Sequence, residues 1–288
     1  MANAIKSREF LVAHHRRWRL RDRPTAIEPL YSSKEEADEL LHAHTERLSD
    51  LQQVLYAANR YALLVIFQGM DAAGKDGAIR HVMSGVNPQG VEVFSFGHPS
   101  AAELEHDFLW RTVLRLPARG HIGIFNRSYY EEVLVPRVRP HILRAEGVPA
   151  SGSDPNLWQG RYQSIVDFER HLFRNGTRVV KLFLHLSKSE QRGRLLARLD
   201  DPHKNWKLSL DDVRDRKSWS RYMDAYEACL QATNTRSAPW YVIPADDKPN
   251  ARLIVSQVLI DALTALQLRY PRVDASRRRE LRAIRRML

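Results

Sequence analysis

The chain of 288 residues is strongly basic, with a formal net charge of +11 at pH 7 and a sequence pI of about 9.9. This length allows one large or two small domains, and the charge points to a polyanionic partner: nucleic acid, acidic lipid or a phosphate polymer. The single cysteine, Cys229, excludes an intrachain disulfide and fits a reducing cytoplasm, and we expect neither a secretory signal nor a membrane-spanning helix.

Residues 1–32 are predicted to form a basic, irregular arm, in which Arg16 and Arg17 are adjacent. Three interpretations stay open for this arm: a clamp on an anion, a segment packed on a neighbouring subunit, or a solvated tail. A long helix is predicted from Ser33 to Asn59, because Ser33 and Glu36 form a capping-box pattern and leucines recur at helical spacing.

The run Leu63–Phe67 is almost wholly apolar, as expected of a strand buried on both faces of a parallel sheet. The segment Gly69–Lys75 follows it and fits the P-loop pattern G-x-x-x-x-G-K. Its glycines let several N–H groups point at one phosphate, the next helix adds partial positive charge, and Lys75 supplies a mobile cation. A glycine-containing turn with a chance lysine is the competing interpretation, but the placement between strand and helix favours phosphate binding.

Two carboxylates accompany this loop. Asp76 stands where the pattern usually has a serine or threonine that binds magnesium, and Asp71 lies inside the loop. Two acids beside a phosphate repel it unless a cation lies between them, so we expect Mg²⁺, or Mn²⁺ in its place, on oxygen ligands. Asp76 alone has a second explanation, as a first-turn acid that the helix dipole favours.

The second and third strands are predicted at Val91–Phe96 and His121–Phe125. A helix between them is predicted from a Ser100–Glu103 capping box to about Leu114.

Polar residues follow the third strand directly, beginning with Asn126 and Arg127. Functional groups of open α/β sheets lie beyond the carboxyl ends of their strands, so both side chains should face the crevice that the P-loop faces. There we expect Arg127 to bind a phosphate and either Glu131 or Glu132 to bind the metal. A surface ion pair is the competing interpretation for Arg127.

Residues 136–153 are rich in proline and arginine, which predicts a loop or short helices. Asp154 and Pro155 resemble an N-cap followed by proline at the first position of a helix that ends near Arg174. The fourth strand is predicted at Val179–Leu184.

A helical lid is predicted at about residues 187–221. Its first helix places Arg194 and Arg198 on one face, a polar break spans residues 200–207, and a second helix covers residues 209–231. Lids of phosphoryl-transfer enzymes close over the phosphates and exclude water. An ordinary solvated helical hairpin explains the composition equally well.

The fifth strand is predicted at Trp240–Ile243, and Asp247 is expected to cap a helix that ends at Leu268. Residues 276–288 are a basic amphipathic tail that binds a polyanion, binds a neighbouring subunit, or is solvated. Strands that alternate with helices predict one α/β domain over residues 33–275, with a parallel five-stranded sheet.

Six ordered segments make the chain similar to family 2 polyphosphate kinases, P-loop kinases that use inorganic polyphosphate as phosphoryl donor. The resemblance extends from Ser33 to about Leu268. The segments are Phe67–Gly77, Ser84–Gly90, His106–Arg111, Gly123–Glu132, Asp201–Lys207 and Ala238–Asp246.

The resemblance implies a three-layer, thymidylate-kinase-like P-loop kinase fold and reversible, Mg²⁺-dependent phosphoryl transfer between polyphosphate and purine nucleotides. It also implies a homo-oligomer, a dimer or a tetramer. From the residues themselves we expect a cytoplasmic protein without a nucleic-acid or membrane partner. The predicted catalytic residues are Asp71, Lys75, Asp76, Arg127 and Glu131, with Asp71, Asp76 and Glu131 as metal ligands. The predicted phosphate- and nucleotide-binding residues are Gly69, Ala72, Ala73, Gly74, Gly77, Arg80, Asn126, Arg194, Arg198, Lys204 and Lys207.

The motif after the third strand distinguishes subgroups of this family. Members that act mainly on nucleoside diphosphates resemble Asp-Arg-Ser-Trp-Tyr-Asn-Arg there, whereas this chain has Asn126-Arg-Ser-Tyr-Tyr-Glu-Glu132. The carboxylate has moved from the position of Asn126 to that of Glu131, which resembles the subgroup that acts on both AMP and ADP. The chain departs from its relatives at Gly97-His98-Pro99, where a lysine and an alanine often precede the proline.

Two other functions compete with this expectation. The same fold serves ATP-dependent kinases of small acceptors, which would be indifferent to polyphosphate. A nucleic-acid-binding protein would use the basic ends of the chain, but the sequence contains no helix-turn-helix, RNP or zinc-finger motif that would support it.

Overall fold

The computed structural model describes residues 5–13, 18–147 and 155–288. The strands are β1 (Ala62–Gln68), β2 (Val91–Ser95), β3 (Ile122–Asn126), β4 (Thr177–His185) and β5 (Trp240–Pro244). The helices are α1 (Lys34–Ala58), α2 (Lys75–Val82), α3 (Ala101–Leu104), α4 (Trp110–Val113), α5 (Glu131–Val138), α6 (Pro140–Ala145), α7 (Pro155–Arg174), α8 (Lys188–Asp200), α9 (Leu210–Lys217), α10 (Trp219–Thr233), α11 (Lys248–Thr264) and α12 (Ala275–Met287).

The five strands form one sheet in the order β2-β3-β1-β4-β5, and all four pairings are parallel. Val65 of β1 lies between Ile124 of β3 and Val180 of β4. Every residue of β1 is buried, because the sheet is covered on both faces, which explains the apolar run in the sequence. The predicted parallel five-stranded sheet is confirmed, and its strands all end at one edge.

Two apolar clusters cover the two faces of the sheet. On one face α1, α2 and α11 pack over β1, with Leu55 and Ile254 among the buried side chains. On the other face α5, α7 and α10 pack over β4 and β5, with Tyr130, Phe183 and Tyr226 in the cluster. The molecule is therefore a helix–sheet–helix sandwich in three layers.

The described part of the N-terminal arm packs on its own chain. Leu11 forms an antiparallel bridge with Tyr241 of β5, and Val12 and Leu20 are buried. The backbone N–H of Asp246 donates to the carbonyl of Thr25 (2.9 Å), which holds the arm near the carboxyl end of β5. Arg16 and Arg17 lie outside the described residues.

Two helices that the sequence predicts as continuous are broken. The helix expected from Ser100 to Leu114 is split into α3 and α4, because Asp107 Oδ1 accepts the N–H of Leu109 (2.9 Å) and begins a new turn. The helix expected over residues 209–231 changes direction at Ser218, whose φ and ψ are −92° and 21°.

The helix caps predicted from the sequence match the structure better than the predicted helix ends do. The caps predicted at Ser33, Ser100 and Asp247 are formed, but α11 ends at Thr264 rather than at Leu268. Asp154, the predicted cap of α7, lies outside the described residues.

The C-terminal helix α12 begins at the N-cap Asp274 and is exposed along its whole length. Across the described ranges, no helix combines the length and the apolar composition that crossing a bilayer requires.

A buried ion pair joins β4 to α7 beneath the sheet. Lys181 Nζ lies 2.6 Å from Glu169 Oε2, and both side chains are almost completely excluded from solvent. Lys181 Nζ also donates to the carbonyl of Thr233 (2.8 Å), while the hydroxyls of Tyr129 and Tyr130 donate to Glu169 Oε1 (2.9 and 2.8 Å). These bonds satisfy both charges and fix the segment that follows β3.

We expect Lys181→Met to destabilise the protein by about 3–5 kcal/mol, because it leaves the Glu169 carboxylate buried without its cation. The double variant Lys181→Met/Glu169→Gln removes both charges, keeps an acceptor for the tyrosines, and should recover part of that loss. Urea unfolding of the three proteins measures the difference. A double variant no more stable than the single variant would contradict this account of the pair.

Candidate active site

The P-loop between β1 and α2 has a backbone that only certain residues tolerate. A Cβ at Gly69, whose φ is +153°, would lie 2.9 Å from the carbonyl oxygen of Leu184, so the loop lies directly against β4. Gly74 is the N-cap of α2 with a φ of +102°, and Ala72 also has a positive φ, +64°. This turn leads into the first turn of α2, where backbone N–H groups have no partner within the helix.

Lys75 is buried and folds back on the loop that precedes it. Its Nζ donates to the carbonyls of Gly69 (2.7 Å) and Met70 (3.3 Å). Burial, together with the charge of Arg127, lowers the pKa of Lys75, although the carboxylates of Asp71 and Glu131 act in the opposite direction. An anion bound at the loop would therefore raise the pKa of Lys75 and favour its charged form.

Arg127 and Asp71 meet across the same edge of the sheet. Arg127 Nη2 lies 2.7 Å from Asp71 Oδ1, and Arg127 has a φ of +64°, which is uncommon for a residue with a side chain. The carboxylate of Glu131 contributes most to raising the pKa of Arg127, against the effect of burial, and Asp71 adds to it. The expected convergence of Arg127 with the P-loop is thus present in the structure.

Asp212, at the start of α9, is a site residue that the sequence reasoning missed. Its carboxyl group lies beside that of Asp71, whose negative charge opposes the ionisation of Asp212. Burial and the nearby Asp71 raise the pKa of Asp212; burial also opposes ionisation of Asp71, but Lys75 and Arg127 outweigh it and lower the pKa of Asp71.

Asp76 lies further out than Asp71. Asn126 Nδ2 donates to Asp76 Oδ1 (2.7 Å), and Lys207 Nζ is 3.6 Å from Asp76 Oδ2. Lys207 therefore reaches from the segment between α8 and α9 to the first turn of α2.

The carboxylates that the sequence predicts as joint metal ligands are not gathered around one point. In the part of the chain that the structure describes, no group of three or more His, Cys, Asp or Glu side chains is arranged to hold a metal ion. Mg²⁺ commonly takes only one or two carboxylates and completes its shell with phosphates and water. The Asp71–Asp212 pair fits this donor set, because two neighbouring carboxyl groups offer oxygen ligands and a divalent cation between them would relieve their repulsion.

Glu131 and Glu132 are adjacent in sequence but face different surroundings. Glu131 Oε1 accepts a hydrogen bond from Gln68, at the end of β1 (2.9 Å), when the Gln68 amide is turned so that its nitrogen faces the carboxylate. Glu132 Oε1 lies 2.9 Å from Arg111 Nη2, and burial raises the pKa of Glu132 to about 7 although Arg111 favours its ionised form. The first carboxylate therefore belongs to the P-loop site and the second to the cavity beside it.

That cavity has a volume of about 410 Å³ and lies on the β3 side of the P-loop. Leu104 and Phe108 line it with apolar surface, while Arg111, Glu132 and Arg161 line it with buried charges. Arg161 Nη1 donates to the carbonyl of Glu132 (2.6 Å), the oxygen that Pro136 of α5, having no N–H, leaves without a helical partner. The proline in α5 thus fixes an arginine in the wall of the cavity.

Arg194, which the sequence places among the phosphate contacts, is fully engaged by protein acceptors. Nε donates to Glu190 Oε1 (2.8 Å), and Nη1 donates to the carbonyls of Ala72 and Ala73 (both 3.1 Å). Nη2 donates to the carbonyls of Ala245 (2.6 Å) and Asp246 (2.9 Å). These five bonds use all five N–H groups of a guanidinium, so Arg194 joins the P-loop to the residues that follow β5.

The other predicted lid cations are more accessible. Arg198 is half-buried, and Lys204 is exposed and pairs with Asp201 (2.5 Å). Arg80 is exposed on α2, one turn beyond Asp76. None of these positions prevents a contact with phosphate.

Several known proteins are similar to this chain over most of its length. The family model for polyphosphate kinase 2 matches residues 31–271. A Rhodopseudomonas palustris protein named ADP-polyphosphate phosphotransferase is 58% identical over 99% of both chains. The AMP/ADP-polyphosphate phosphotransferase of Meiothermus ruber is 46% identical over 84% of this chain and 87% of its own length. The crystal structure of polyphosphate kinase 2 from Arthrobacter aurescens has a TM-score of 0.86 at 40% identity and covers 97% of both chains.

We expect Arg194→Lys to lower the free energy of unfolding by about 2–4 kcal/mol, because one ammonium cannot reach four carbonyls on two segments at once and leaves buried acceptors without donors. Arg192→Lys, at an exposed position of the same helix, is the matched control and should be neutral. Urea unfolding compares them. Equal stability of the two variants would mean that the bonds of Arg194 contribute little.

Proposed function

The chain belongs to the polyphosphate kinase 2 family, and we propose that it transfers phosphoryl groups reversibly between inorganic polyphosphate and nucleoside mono- or diphosphates. The observation that carries the proposal is the convergence of Lys75, Arg127 and Asp71 at a P-loop, inside a chain that is 58% identical to an ADP-polyphosphate phosphotransferase. The site contains what phosphoryl transfer needs: a backbone cradle, two cations and a pair of acids.

The reaction needs no nucleophilic side chain. The attacking group is a phosphate oxygen of the acceptor nucleotide, which is already ionised, so the protein contributes position and charge. In the mechanism that we propose, Lys75 moves from the loop carbonyls to the transferred phosphoryl group, and Arg127 neutralises the charge that develops on it. Arg194 acts as a positioning residue, because it holds the carbonyls of the P-loop while its own donors are occupied.

Asp71 and Asp212 are the residues that we propose as holders of Mg²⁺, with substrate phosphates in the remaining positions. A bound ion would supply positive charge to the reacting phosphates. Arg127 holds the carboxylate of Asp71, and Gln191 Nε2 donates to its backbone carbonyl (3.0 Å), so Asp71 is fixed from two sides. Asp212 lies at the start of α9, so an ion held by both acids would also link α9 to the P-loop.

The cavity of about 410 Å³ is the proposed place of the acceptor's nucleoside. It is lined by Glu132, the neighbour of Glu131, and it combines apolar walls with two buried arginines, as expected of a site for a base and a ribose. One relative is named for ADP and another for AMP and ADP. We therefore propose that the residues of this cavity and its rim select between the two acceptors.

The competing functions are less well supported. The names of the relatives specify polyphosphate, which disfavours an ATP-dependent kinase of a small acceptor. The homo-oligomer and the cytoplasmic location stay predictions. The decisive assay incubates the protein with Mg²⁺, polyphosphate and either AMP or ADP, and follows ADP and ATP. Turnover of ATP with indifference to polyphosphate would contradict the proposal.

Lys75→Ala should reduce kcat in this assay by roughly 10²- to 10³-fold, because a cation aimed at the developing charge is lost. Lys34→Ala, at an exposed position on α1, is the control and should retain full turnover. Circular dichroism checks that both variants are folded. A folded Lys75→Ala protein with the turnover of the wild type would refute the P-loop assignment.

Glu131→Asn should change the ratio of kcat/KM for AMP to that for ADP, because the carboxylate lies where the acceptor's phosphates approach Arg127 and Lys75. Glu132→Gln, which alters the neighbouring carboxylate inside the cavity, serves as the comparison and should weaken both acceptors together. An unchanged ratio in Glu131→Asn would remove this residue from the selection between mono- and diphosphates.

A further inference from the structure

The order of the strands gives the site two distinct sides. The P-loop follows β1 at the centre of the sheet, and the cavity beside Glu132 lies toward β3 and β2. In phosphoryl transfer the attacking and leaving oxygens are roughly in line with the transferred group. If the acceptor occupies that cavity, as in the proposed function on which this inference rests, the rest of the donor must extend away from it, toward β4 and β5.

Three cations lie on that opposite side. Lys248 and Arg252 are four residues apart on α11 and share a face of the helix, while Arg80 is on α2, which packs against α11. Lys248 and Arg80 are exposed, and Arg252 is half-buried. Within the described ranges, none of the three forms an ion pair within 4.0 Å.

The position of this cluster relative to the P-loop is fixed by Arg194. One of its nitrogens bonds the carbonyls of Ala72 and Ala73, and another bonds those of Ala245 and Asp246, directly before α11. One guanidinium group therefore spans the gap between the backbone of the P-loop and the beginning of α11. A linear polyanion that extends from the P-loop on this side would next contact these three cations.

The electrostatics agree with the geometry. Burial lowers the pKa of Lys248, and the positive charges of Arg194, Arg252 and Lys204 lower it further. Burial and the charge of Arg80 likewise lower the pKa of Arg252, against the attraction of Asp38 and Asp247. Because Lys204 belongs to the lid, the lid and α11 present cations to the same space, and their mutual repulsion is relieved when a polyanion enters.

We propose that Lys248 and Arg252, with Arg80 and Lys204, form a second subsite that binds internal phosphates of a linear polyphosphate beyond the P-loop. Arg80 and Lys204 are already among the phosphate-binding residues predicted in the sequence analysis. Lys248 and Arg252 are not, and only the fold places them beside the other two. The subsite contacts phosphates that are not transferred, so it contributes to the binding of long donors and leaves the chemical step unchanged. A donor too short to reach α11 does not depend on it.

The test is a comparison of donor lengths in the double variant Lys248→Gln/Arg252→Gln, which removes both charges and keeps most of each aliphatic stem. We expect its KM for long-chain polyphosphate to rise about tenfold, and the dependence of log KM on log salt concentration to weaken by about two, one for each lost cation. KM for the shortest linear polyphosphate that the wild type accepts should stay within about twofold, and kcat should be unchanged with both donors.

A charge-matched control separates a subsite from general attraction by a basic protein. Arg119→Gln/Arg174→Gln removes two exposed arginines near the amino ends of β3 and β4, at the opposite edge of the sheet. A rise in KM for long chains in this control equal to that in the test variant would overturn the subsite, and so would an unchanged KM in the test variant. The single variant Lys248→Ala, at an exposed position, repeats the measurement if the double variant is unstable.

Failure of the subsite is distinguishable from failure of the proposed function. If the double variant loses short and long donors equally, the cluster acts on the P-loop site and the second subsite is wrong, while the kinase activity stands. If the wild type phosphorylates no nucleotide with any polyphosphate, the proposed function itself is wrong.

Discussion

A P-loop turns its N–H groups toward a phosphate, so some of its carbonyls point the other way and need donors within the protein. Arg194 supplies donors to two of them, and the same guanidinium reaches the carbonyls that follow β5. One side chain thereby connects the central loop, α8 and the start of α11. The rest of the site depends on this connection, because it holds α8 and the cations of α11 in place relative to the P-loop.

The site also has to keep like charges close together without a ligand. Arg127 pairs with Asp71, which lies beside Asp212, and Lys75 donates to carbonyls of its own loop. A divalent cation between the two acids and a phosphate beside Lys75 would replace these contacts. Burial raises the energy of the charged groups, so a ligand gains more by neutralising them than it would at an exposed surface.

The two sides of the site differ in a way that suits two kinds of substrate. The cavity toward β3 combines apolar walls with paired charges, as Arg111 is with Glu132, which suits a compact molecule with a mostly uncharged ring system. On the side toward β5, the cations Lys248, Arg252 and Arg80 lack ion-pair partners among the described residues, which suits a long chain of negative charges. A pocket favours selection of one molecule, whereas a row of unpaired cations favours a polymer whose ends lie far away.

The sequence by itself determined the strands, the helix caps and the P-loop, because each depends on neighbouring residues: an apolar run, a serine three residues before an acid, a glycine where φ is positive. It also determined that Arg127 would join the P-loop, since parallel strands all end at one edge. Only the tertiary structure decided which side chains meet from distant segments. Asp212 completes the capping box of Ser209 at the start of α9, yet it also faces Asp71, and Arg194 looks like a phosphate contact but has no free donor. Such meetings depend on how α8, α9 and α11 pack over the sheet, and no local pattern of residues encodes that packing.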